Sequence, residues 1–421
     1  MPAPPQEPKA IVDHFFRHQW GRVVSHLTAK FGVPNLTLVE DAVQEALTKA
    51  MQSWAFQGIP DNPAGWITRV AHNHVIDTLR RKNNFERKSA ELGQEESSYA
   101  MDWDMDEEIK DDELKMMFAC CHPAISAELQ IILTLKILGG FSNAEVARQL
   151  LKKEDAIAKA YTRGKKKLIE EGITLEVPFG KHLSQRLSKV LRILYLLFNE
   201  GYSVTEGDLL IKTSLCEEAI RLGSLILECK RLVKPDVHAL MALMYFQSSR
   251  FNARLDSNGQ MVALNHQNRS LWDYSKVELG RHHLELAAAF GHVNDYFIQA
   301  SIARVHCDAD TYESTNWRQI LMLYDIQLQL NNNPVIFLNR VIAYGKVFGA
   351  KAALSELDGY GGKKALQKYP LLYAVQAELL AEIDDYATAI ATIDQAISLN
   401  TNVREVEYMQ SKRISWVERI T

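Results

Sequence analysis

Apolar residues recur at helical spacing along nearly all of this 421-residue chain. The alternating pattern of a half-buried strand, bounded by turn residues, is almost missing. A chain with this periodicity buries its apolar side chains by packing helix against helix. The sequence therefore predicts an all-α protein, and its length predicts about two or three domains.

Charge divides the chain into three segments, in the order basic, acidic, basic. Residues 63–88 hold six basic side chains and two acidic ones, residues 89–113 hold eleven acidic side chains and one lysine, and residues 148–168 hold eight basic side chains and two acidic ones. The formal net charge of the whole chain is -4, so no basic field covers the entire protein. Any contact with nucleic acid must therefore be local to one of the two basic segments.

These patterns predict four regions along the chain. They are a first helical domain at residues 1–88, an acidic linker at 89–112, a second helical domain at 113–176 and a helical extension at 177–421. The linker is too acidic, and too poor in apolar residues, to fold alone. The extension has no basic cluster as dense as those of the two domains before it.

The extension ends in a weak internal repeat. "NPVIFLNRVIAYGKVFGAKAALSEL" and "YPLLYAVQAELLAEIDDYATAIATIDQAISLN" are each typical of a helix pair, and their starts lie about one tetratricopeptide period apart. Tyr386, Ala389 and Ala396 fall where that repeat places its aromatic and small contact residues. We therefore predict tetratricopeptide-like packing near residues 318–400, and a structured loop of unassigned chemistry at "ARLDSNGQMVALNHQNRSLW".

The first basic segment contains the stretch "NPAGWITRVAHNHVIDTLRRK". Asn62 suits an N-cap and Pro63 a first helical turn, so we predict a helix from there to about Lys82. One face of this helix would carry Trp66, Arg69, Asn73 and Arg80, with Asp77 at its edge, and the other would pack through Ile67, Val70, Ala71 and Val75. An aromatic ring, an amide and guanidinium groups on one face suit an unstacked DNA strand. The alternative is a solvated amphipathic helix whose tryptophan belongs to the core.

The second basic segment has the pattern of a helix-turn-helix. Ser142 and Glu145 form a capping box that opens one helix, and a second helix follows from about Asp155. Lys159, Arg163 and Lys166 or Lys167 then repeat on one outer face, which suits a DNA major groove. A helical hairpin with a solvated lysine face remains the alternative at this point.

Both segments resemble a known family. "DAVQEAL" followed by "PAGWITRVAHNHVIDTLRR" resembles regions 2.2 to 2.4 of an extracytoplasmic-function (ECF) sigma factor of bacterial RNA polymerase. "EVARQL", with a second helix ending in "RGKKKL", is similar to region 4.2 of the same family. The C-terminal half looks like the long extension of one ECF subgroup, which ends in tetratricopeptide-like repeats. The resemblance covers the chain from about residue 10 and implies that core RNA polymerase and promoter DNA are the partners.

The resemblance also implies roles for individual residues. The acidic and amide-bearing face of the preceding helix would bind core polymerase, through Asp41, Gln44 and Glu45. The −10 element would be held by Phe56, Trp66, Arg69, Asn73, Asp77, Arg80 and Arg81. The −35 element would be held by Lys152, Lys153, Lys159, Arg163 and Lys166. Asn73 matches the family position near a flipped −10 base, with Phe56 or its loop as a wall of the pocket.

The helix-turn-helix departs from the family at four positions. Lys152 and Lys153 stand where the family usually has an apolar residue and a proline, and Ala160 replaces a common arginine. Gly164 replaces a usual alanine, which weakens a helix by up to about 1 kcal/mol. Promoter preference is therefore not carried over from relatives.

Other conspicuous residues indicate structure rather than chemistry. Cys120, Cys121 and His122 are adjacent, so they cannot converge on one metal ion without further ligands. We predict the two cysteines to be buried structural thiols. No Ser/His/Asp set or pair of carboxylates stands out by spacing, so we predict no enzyme activity and no cofactor.

The sequence also favours one compartment. Its N-terminal residues lack the apolar core of a signal peptide, and its longest apolar run is too short to span a bilayer, so we predict no membrane insertion. The five scattered cysteines suit a reducing environment. These features predict a cytoplasmic protein.

We predict a sigma factor whose C-terminal extension binds a protein partner and modulates the activity of the first two domains. Two alternatives belong to other classes: a stand-alone helix-turn-helix regulator with a repeat-type sensor, and a tetratricopeptide-type scaffold without a DNA role. Only the sigma factor needs a face for core polymerase, so a pull-down of that enzyme separates the three.

Overall fold

The structure, a computed structural model, describes residues 8–87, 106–150, 152–202, 212–257 and 260–420. The chain divides into two compact units, Met1–Ile193 and Leu194–Thr421. Within the described ranges the only β pairing is an isolated bridge between Leu255 and Met261. The all-α prediction is confirmed.

The described residues of the first unit form seven α-helices and the start of an eighth. They are α1 Pro8–Phe31, α2 Leu36–Gln57, α3 Pro63–Arg87, α4 Asp106–Cys120, α5 Ala127–Leu133, α6 Asn143–Gln149, α7 Glu154–Glu170 and α8 Lys181–Tyr202, which continues into the second unit. A short π-helical segment, Thr134–Leu138, extends α5. Helix α2 packs between α1 and α3, and α4 packs on α1.

Helix α3 begins and packs largely as predicted. The Asn62 side chain accepts a hydrogen bond from the Gly65 N–H at 2.8 Å, which makes Asn62 the N-cap of α3. The predicted inward residues are buried, except that Val70 is half-buried. The helix ends at Arg87, about one turn beyond the predicted end.

The last part of the predicted acidic linker is helical. Helix α4 begins at Asp106, so residues 106–112 belong to it, whereas residues 88–105 lie outside the described residues. Asp112 is 5% exposed, and its Oδ2 lies 2.9 Å from Nδ1 of His26 in α1. This contact and the burial of Leu114 hold α4 against α1 at the end of the predicted linker. The predicted linker boundary at residue 112 therefore falls inside a helix.

The π-helical segment lies very close to α1. A Cβ added at Gly21 would come 2.1 Å from the main-chain oxygen of Leu138, so only glycine allows this approach. Trp20, next to it, donates from its indole nitrogen to the Lys136 carbonyl at 3.2 Å. The second predicted domain is therefore docked on the first.

Where the structure describes the second unit, α8 is followed by eleven further α-helices. They are α9 Thr213–Glu228, α10 Pro235–Ser248, α11 Tyr274–Ala289, α12 Asp295–Asp308, α13 Trp317–Leu330, α14 Pro334–Phe348, α15 Ala350–Asp358, α16 Lys363–Leu366, α17 Pro370–Ala381, α18 Tyr386–Leu399 and α19 Val403–Val417. Helices α10, α11 and α12 share a core around Phe246 and Trp272. The predicted loop follows a 3₁₀ turn, Phe251–Ala253, and contains two more within its described residues, Leu264–His266 and Arg269–Leu271.

The two predicted helix pairs are α14 with α15 and α17 with α18. Ala389 and Ala396 are fully buried, as expected for small contact residues, and Tyr386 packs at the edge of the same core. A Cβ at Gly345 would lie 3.1 Å from Leu379 and 3.2 Å from Ala353, so α14 approaches both α15 and α17 closely. Small residues therefore set the spacing of helices here.

Two half-buried histidines, His283 and His306, make the second unit sensitive to acid. The Nδ1 atoms of His238 and His283 lie 2.9 Å apart, so only one of them carries a proton between the rings. Burial, followed by the charges of His238 and His282, lowers the pKa of His283 to about 4. Burial, followed by Arg250 and Arg269, lowers the pKa of His306 to about 4.

We expect the free energy of unfolding to fall as pH drops from about 6.5 towards 4. In this window the unfolded chain binds protons at these histidines and the folded chain does not, so stability rises with pH. Each histidine contributes at most about 1.4 kcal/mol per pH unit. Urea unfolding at several pH values should give a shallower slope for His283→Gln. His292→Gln, which changes an exposed histidine in the same unit, should keep the original slope.

Candidate nucleic-acid interface

The outer face of α3 is basic and exposed. Arg69, Asn73, Asp77, Arg80 and Arg81 are all exposed. The opposite face packs against α2, with Ile67, Ala71 and Val75 between 0% and 1% exposed. Because this packing fixes the helix, its polar side chains project to solvent from a rigid support.

The two candidate aromatic residues differ in exposure. Trp66 is half-buried, and its ring meets that of Trp54 edge to face, with centroids 5.6 Å apart and planes at 63°. The alternative prediction, that Trp66 belongs to the core, is therefore correct in part. Phe56, in the last turn of α2, is 92% exposed. The freely accessible aromatic ring of this region is therefore Phe56.

Helix α2 presents the predicted acidic face. Asp41, Gln44 and Glu45 are exposed, while the inward side of the same turns is buried. Glu45 forms an exposed ion pair with Lys49, at 3.6 Å, one turn further along. This face is accessible to a partner.

The second basic segment is a helix-turn-helix formed by α6 and α7. The Ser142 N–H donates to the Glu145 carboxylate at 2.8 Å, and the Glu145 N–H donates to the Ser142 hydroxyl at 3.1 Å, which confirms the predicted capping box. Helix α7 begins at Glu154, one residue before the predicted start.

All five predicted −35 residues are exposed, namely Lys152, Lys153, Lys159, Arg163 and Lys166. Lys152 pairs with Glu128 at 2.7 Å and Lys166 with Glu170 at 3.3 Å. Lys153, Lys159 and Arg163 form no ion pair within the described part of the chain. Of these three, Lys159 and Arg163 lie one turn apart on α7, and Lys153 lies just before that helix.

Two of the departures from the family pattern lie on the inner face of α7. Ala160 is 3% exposed, so this position faces the core and does not belong to the exposed basic surface. A Cβ at Gly164 would lie 3.0 to 3.3 Å from atoms of the Leu133 side chain. Gly164 therefore allows α7 to approach α5 closely. This packing offsets the low helix propensity of glycine.

Helices α2 and α7 meet at a buried carboxylate that the sequence did not reveal. Glu40 is 9% exposed and accepts hydrogen bonds from the Tyr161 hydroxyl and, at 2.7 Å, from the Lys165 ammonium. Burial and the Glu40 charge raise the pKa of Tyr161, which keeps this hydroxyl protonated as a donor. Lys136, whose pKa is lowered by burial, lies 5.3 Å from the centre of the Tyr161 ring. We call Glu40, Tyr161 and Lys165 the Glu40 cluster.

The adjacent cysteines are structural, as predicted. Cys120 and Cys121 are 0% and 1% exposed, and burial raises the pKa of Cys121 to about 12. Both thiols are free. Among the residues that the structure describes, no group of three or more His, Cys, Asp and Glu side chains is arranged to hold a metal ion.

None of the helices in the described ranges combines the length and the apolar character needed to cross a lipid bilayer.

Comparison with known proteins assigns three parts of the chain to families. Residues 16–85 match Sigma-70 region 2, residues 115–168 match Sigma-70, region 4, and residues 186–288 match a family of unknown function (DUF6596). An uncharacterized protein of Rhizobium meliloti (strain 1021) is 35% identical over 381 residues, which cover 89% of each chain. No solved structure matches.

The two sigma-70 matches coincide with the two basic surfaces. Region 2 includes the exposed faces of α2 and α3, and region 4 includes the helix-turn-helix. Sigma-70 families are not families of enzymes, and they act in promoter-directed transcription. The chain belongs to the sigma-70 family and is an ECF-type sigma factor with a C-terminal extension.

Proposed function

We propose that this protein binds core RNA polymerase through α2, recognises promoters through α3 and α7, and is regulated by its extension. One observation carries the proposal: the predicted polymerase, −10 and −35 residues are exposed, apart from the half-buried Trp66. They lie on helices whose other faces are buried or, for Lys152 and Lys153, in the turn before α7. Stand-alone binding to duplex DNA would not need the acidic face of α2, and a scaffold would need neither basic face.

At the −10 element, α3 offers the chemistry that a melted strand requires. Arg69, Arg80 and Arg81 can pair with phosphates, and Asn73 can hydrogen-bond a base edge. Opening the duplex costs a few kcal/mol per extruded base, which stacking on an aromatic ring offsets. Phe56 supplies an accessible ring for this stacking.

At the −35 element, α7 is the recognition helix. Its exposed basic residues suit phosphates and guanine edges in a major groove. Lys159 and Arg163 need not break an ion pair to bind DNA. Lys152 and Lys166 exchange an exposed ion pair for a phosphate contact, at small cost.

Two alanine variants, one for each partner of the Glu45–Lys49 ion pair, test the polymerase contact. Glu45→Ala and Lys49→Ala both remove the same exposed pair, so they affect the helix equally, by about 0.5 kcal/mol or less. We expect only Glu45→Ala to weaken binding to core polymerase, by about tenfold or more. Fluorescence anisotropy with labelled full-length protein measures both affinities. Equal affinities for the two variants would contradict the assignment of Glu45.

Promoter recognition is tested by run-off transcription. Core polymerase with this protein should start transcription at discrete sites on genomic fragments, including the promoter of its own gene. Failure to associate with core polymerase in a pull-down would favour the helix-turn-helix regulator, if operator DNA is bound, or the scaffold, if it is not.

The regulatory role of the extension is supported by its size and its lack of dense basic clusters. Deleting residues 180–421 should change promoter-specific output in the same reconstituted system. The deletion also removes Arg186, which donates to the Phe118 carbonyl at 2.8 Å in the first unit. Full-length Arg186→Ala is therefore the matched control, and equal output from the deletion and this control would contradict a regulatory extension.

A further inference from the structure

The extension contains a cavity of about 460 Å³ that no part of the sigma function uses. One wall is the loop at residues 261–265, and the facing walls come from α14, α17 and α19. All its lining residues lie in the unit Leu194–Thr421. A cavity of this size holds a small organic molecule.

Two arginines without an acidic partner line this cavity. Arg254 is 9% exposed, and its guanidinium donates to the Tyr202 carbonyl and lies 4.1 Å from the centre of the Tyr202 ring. Arg250 donates to the Tyr202 hydroxyl at 3.1 Å, and its Nε is buried without a hydrogen-bond partner. Within the described part of the chain neither guanidinium forms an ion pair. Burying positive charge in this way is costly unless an anion neutralises it.

The neighbourhood of these arginines is also positively charged. Arg269 donates to the carbonyls of His306 and Ala309 at 2.7 and 2.6 Å, and its Nη2 is buried without a partner. Burial is the main cause that lowers the pKa of Arg254 and of Arg269, and the charge of Arg250 lowers both further. Acidic side chains oppose this only as the smallest contributions, Glu405 at Arg254 and Asp310 at Arg269.

The rest of the cavity is apolar or already neutralised. Its apolar lining includes Val262, Leu264, Ile342, Leu371, Val375 and Leu379. Two lysines of the lining are ion-paired, Lys346 with Glu382 at 2.6 Å and Lys412 with Glu378 at 3.2 Å. A ligand would thus meet apolar side chains and two guanidinium groups that have no carboxylate partner.

We propose that this cavity binds a small organic anion with an apolar body. The anionic group, a carboxylate, sulfonate or phosphate ester, lies against the guanidinium groups of Arg250 and Arg254. The apolar body packs on Ile342, Leu371 and Val375. The proposal is independent of the sigma function, because the cavity lies entirely in the second unit and binding is measured without polymerase or DNA.

The probe is 8-anilinonaphthalene-1-sulfonate, which joins a sulfonate to an aromatic body. Fluorescence titration of the full-length protein should show one saturable site. N-phenyl-1-naphthylamine, which has the same body without the sulfonate, should bind at least tenfold more weakly. Absence of a saturable site, or equal affinity for the two compounds, would overturn the proposal.

Variants locate the site. Arg250→Met removes the charge and Ala374→Phe fills the cavity while keeping both arginines, so each should weaken binding of the sulfonate at least tenfold. Arg318→Met makes the same change at an exposed arginine of the same unit and should bind like the unaltered protein. Circular dichroism establishes that each variant is folded. Unchanged affinity in a folded Arg250→Met or Ala374→Phe would show that the probe binds elsewhere and would refute the assignment. If neither variant folds, the difference in affinity between the two compounds decides.

Discussion

Replacing Glu40 by alanine should destabilise the contact between α2 and α7 by about 3–5 kcal/mol. The change removes the acceptor of both the Tyr161 hydroxyl and the Lys165 ammonium, whose side chain is only 15% exposed. A buried donor and a largely buried charge would then lack a partner. Hydrogen exchange followed by mass spectrometry should show faster exchange in peptides from α7 of the full-length protein.

Glu45→Ala is the matched control, because it removes an exposed glutamate from the same helix and should change stability by about 0.5 kcal/mol or less. In a double-mutant cycle, Glu40→Ala and Lys165→Met should be coupled by more than about 1 kcal/mol. Additive effects, or equal exchange in Glu40→Ala and Glu45→Ala, would mean that the carboxylate does not join the two helices.

Helices and their caps were predictable because their causes are local. The N-cap of α3 and the capping box of α6 each depend on residues within three positions of one another. The buried faces of α2 and α7 follow from spacing along one helix. Such features can be read from a single sequence because no distant segment has to be known.

Glu40 was missed because its role depends on distant residues. In the sequence it adjoins Asp41 and looks like another member of the acidic face of α2. Its partners Tyr161 and Lys165 lie 121 and 125 residues further along the chain, in the other sigma region. Burial of a carboxylate at such a contact leaves no local pattern, because each of the three residues is also common on helix surfaces.

The arginines of the extension illustrate the same limit. The stretch around Arg250 and Arg254 indicated a structured loop but no chemistry. The cavity is formed only when this loop meets α14, α17 and α19, whose lining residues extend from Ile342 to Lys412. The predicted end of the acidic linker was wrong for the same reason. Residues 106–112 belong to α4, and Asp112 contacts His26 of α1, which is distant in sequence.

Replacing Phe56 by alanine should slow promoter opening about 5- to 150-fold, which corresponds to about 1–3 kcal/mol of base stacking. The ring is 92% exposed, so its removal sacrifices almost no burial and should leave the thermal unfolding midpoint unchanged. Open-complex formation by the reconstituted holoenzyme can be followed by permanganate reactivity of the melted −10 region.

Phe179→Ala provides the control, because this phenylalanine is 71% exposed and lies outside both basic helices. The change should affect neither opening nor stability. On a template whose −10 base is abasic, the two variants should open alike, because no base remains to stack on the ring. A loss of activity in Phe56→Ala that persists on the abasic template would assign Phe56 to another step, whereas loss on the intact template alone would identify the ring as the surface that holds the extruded base.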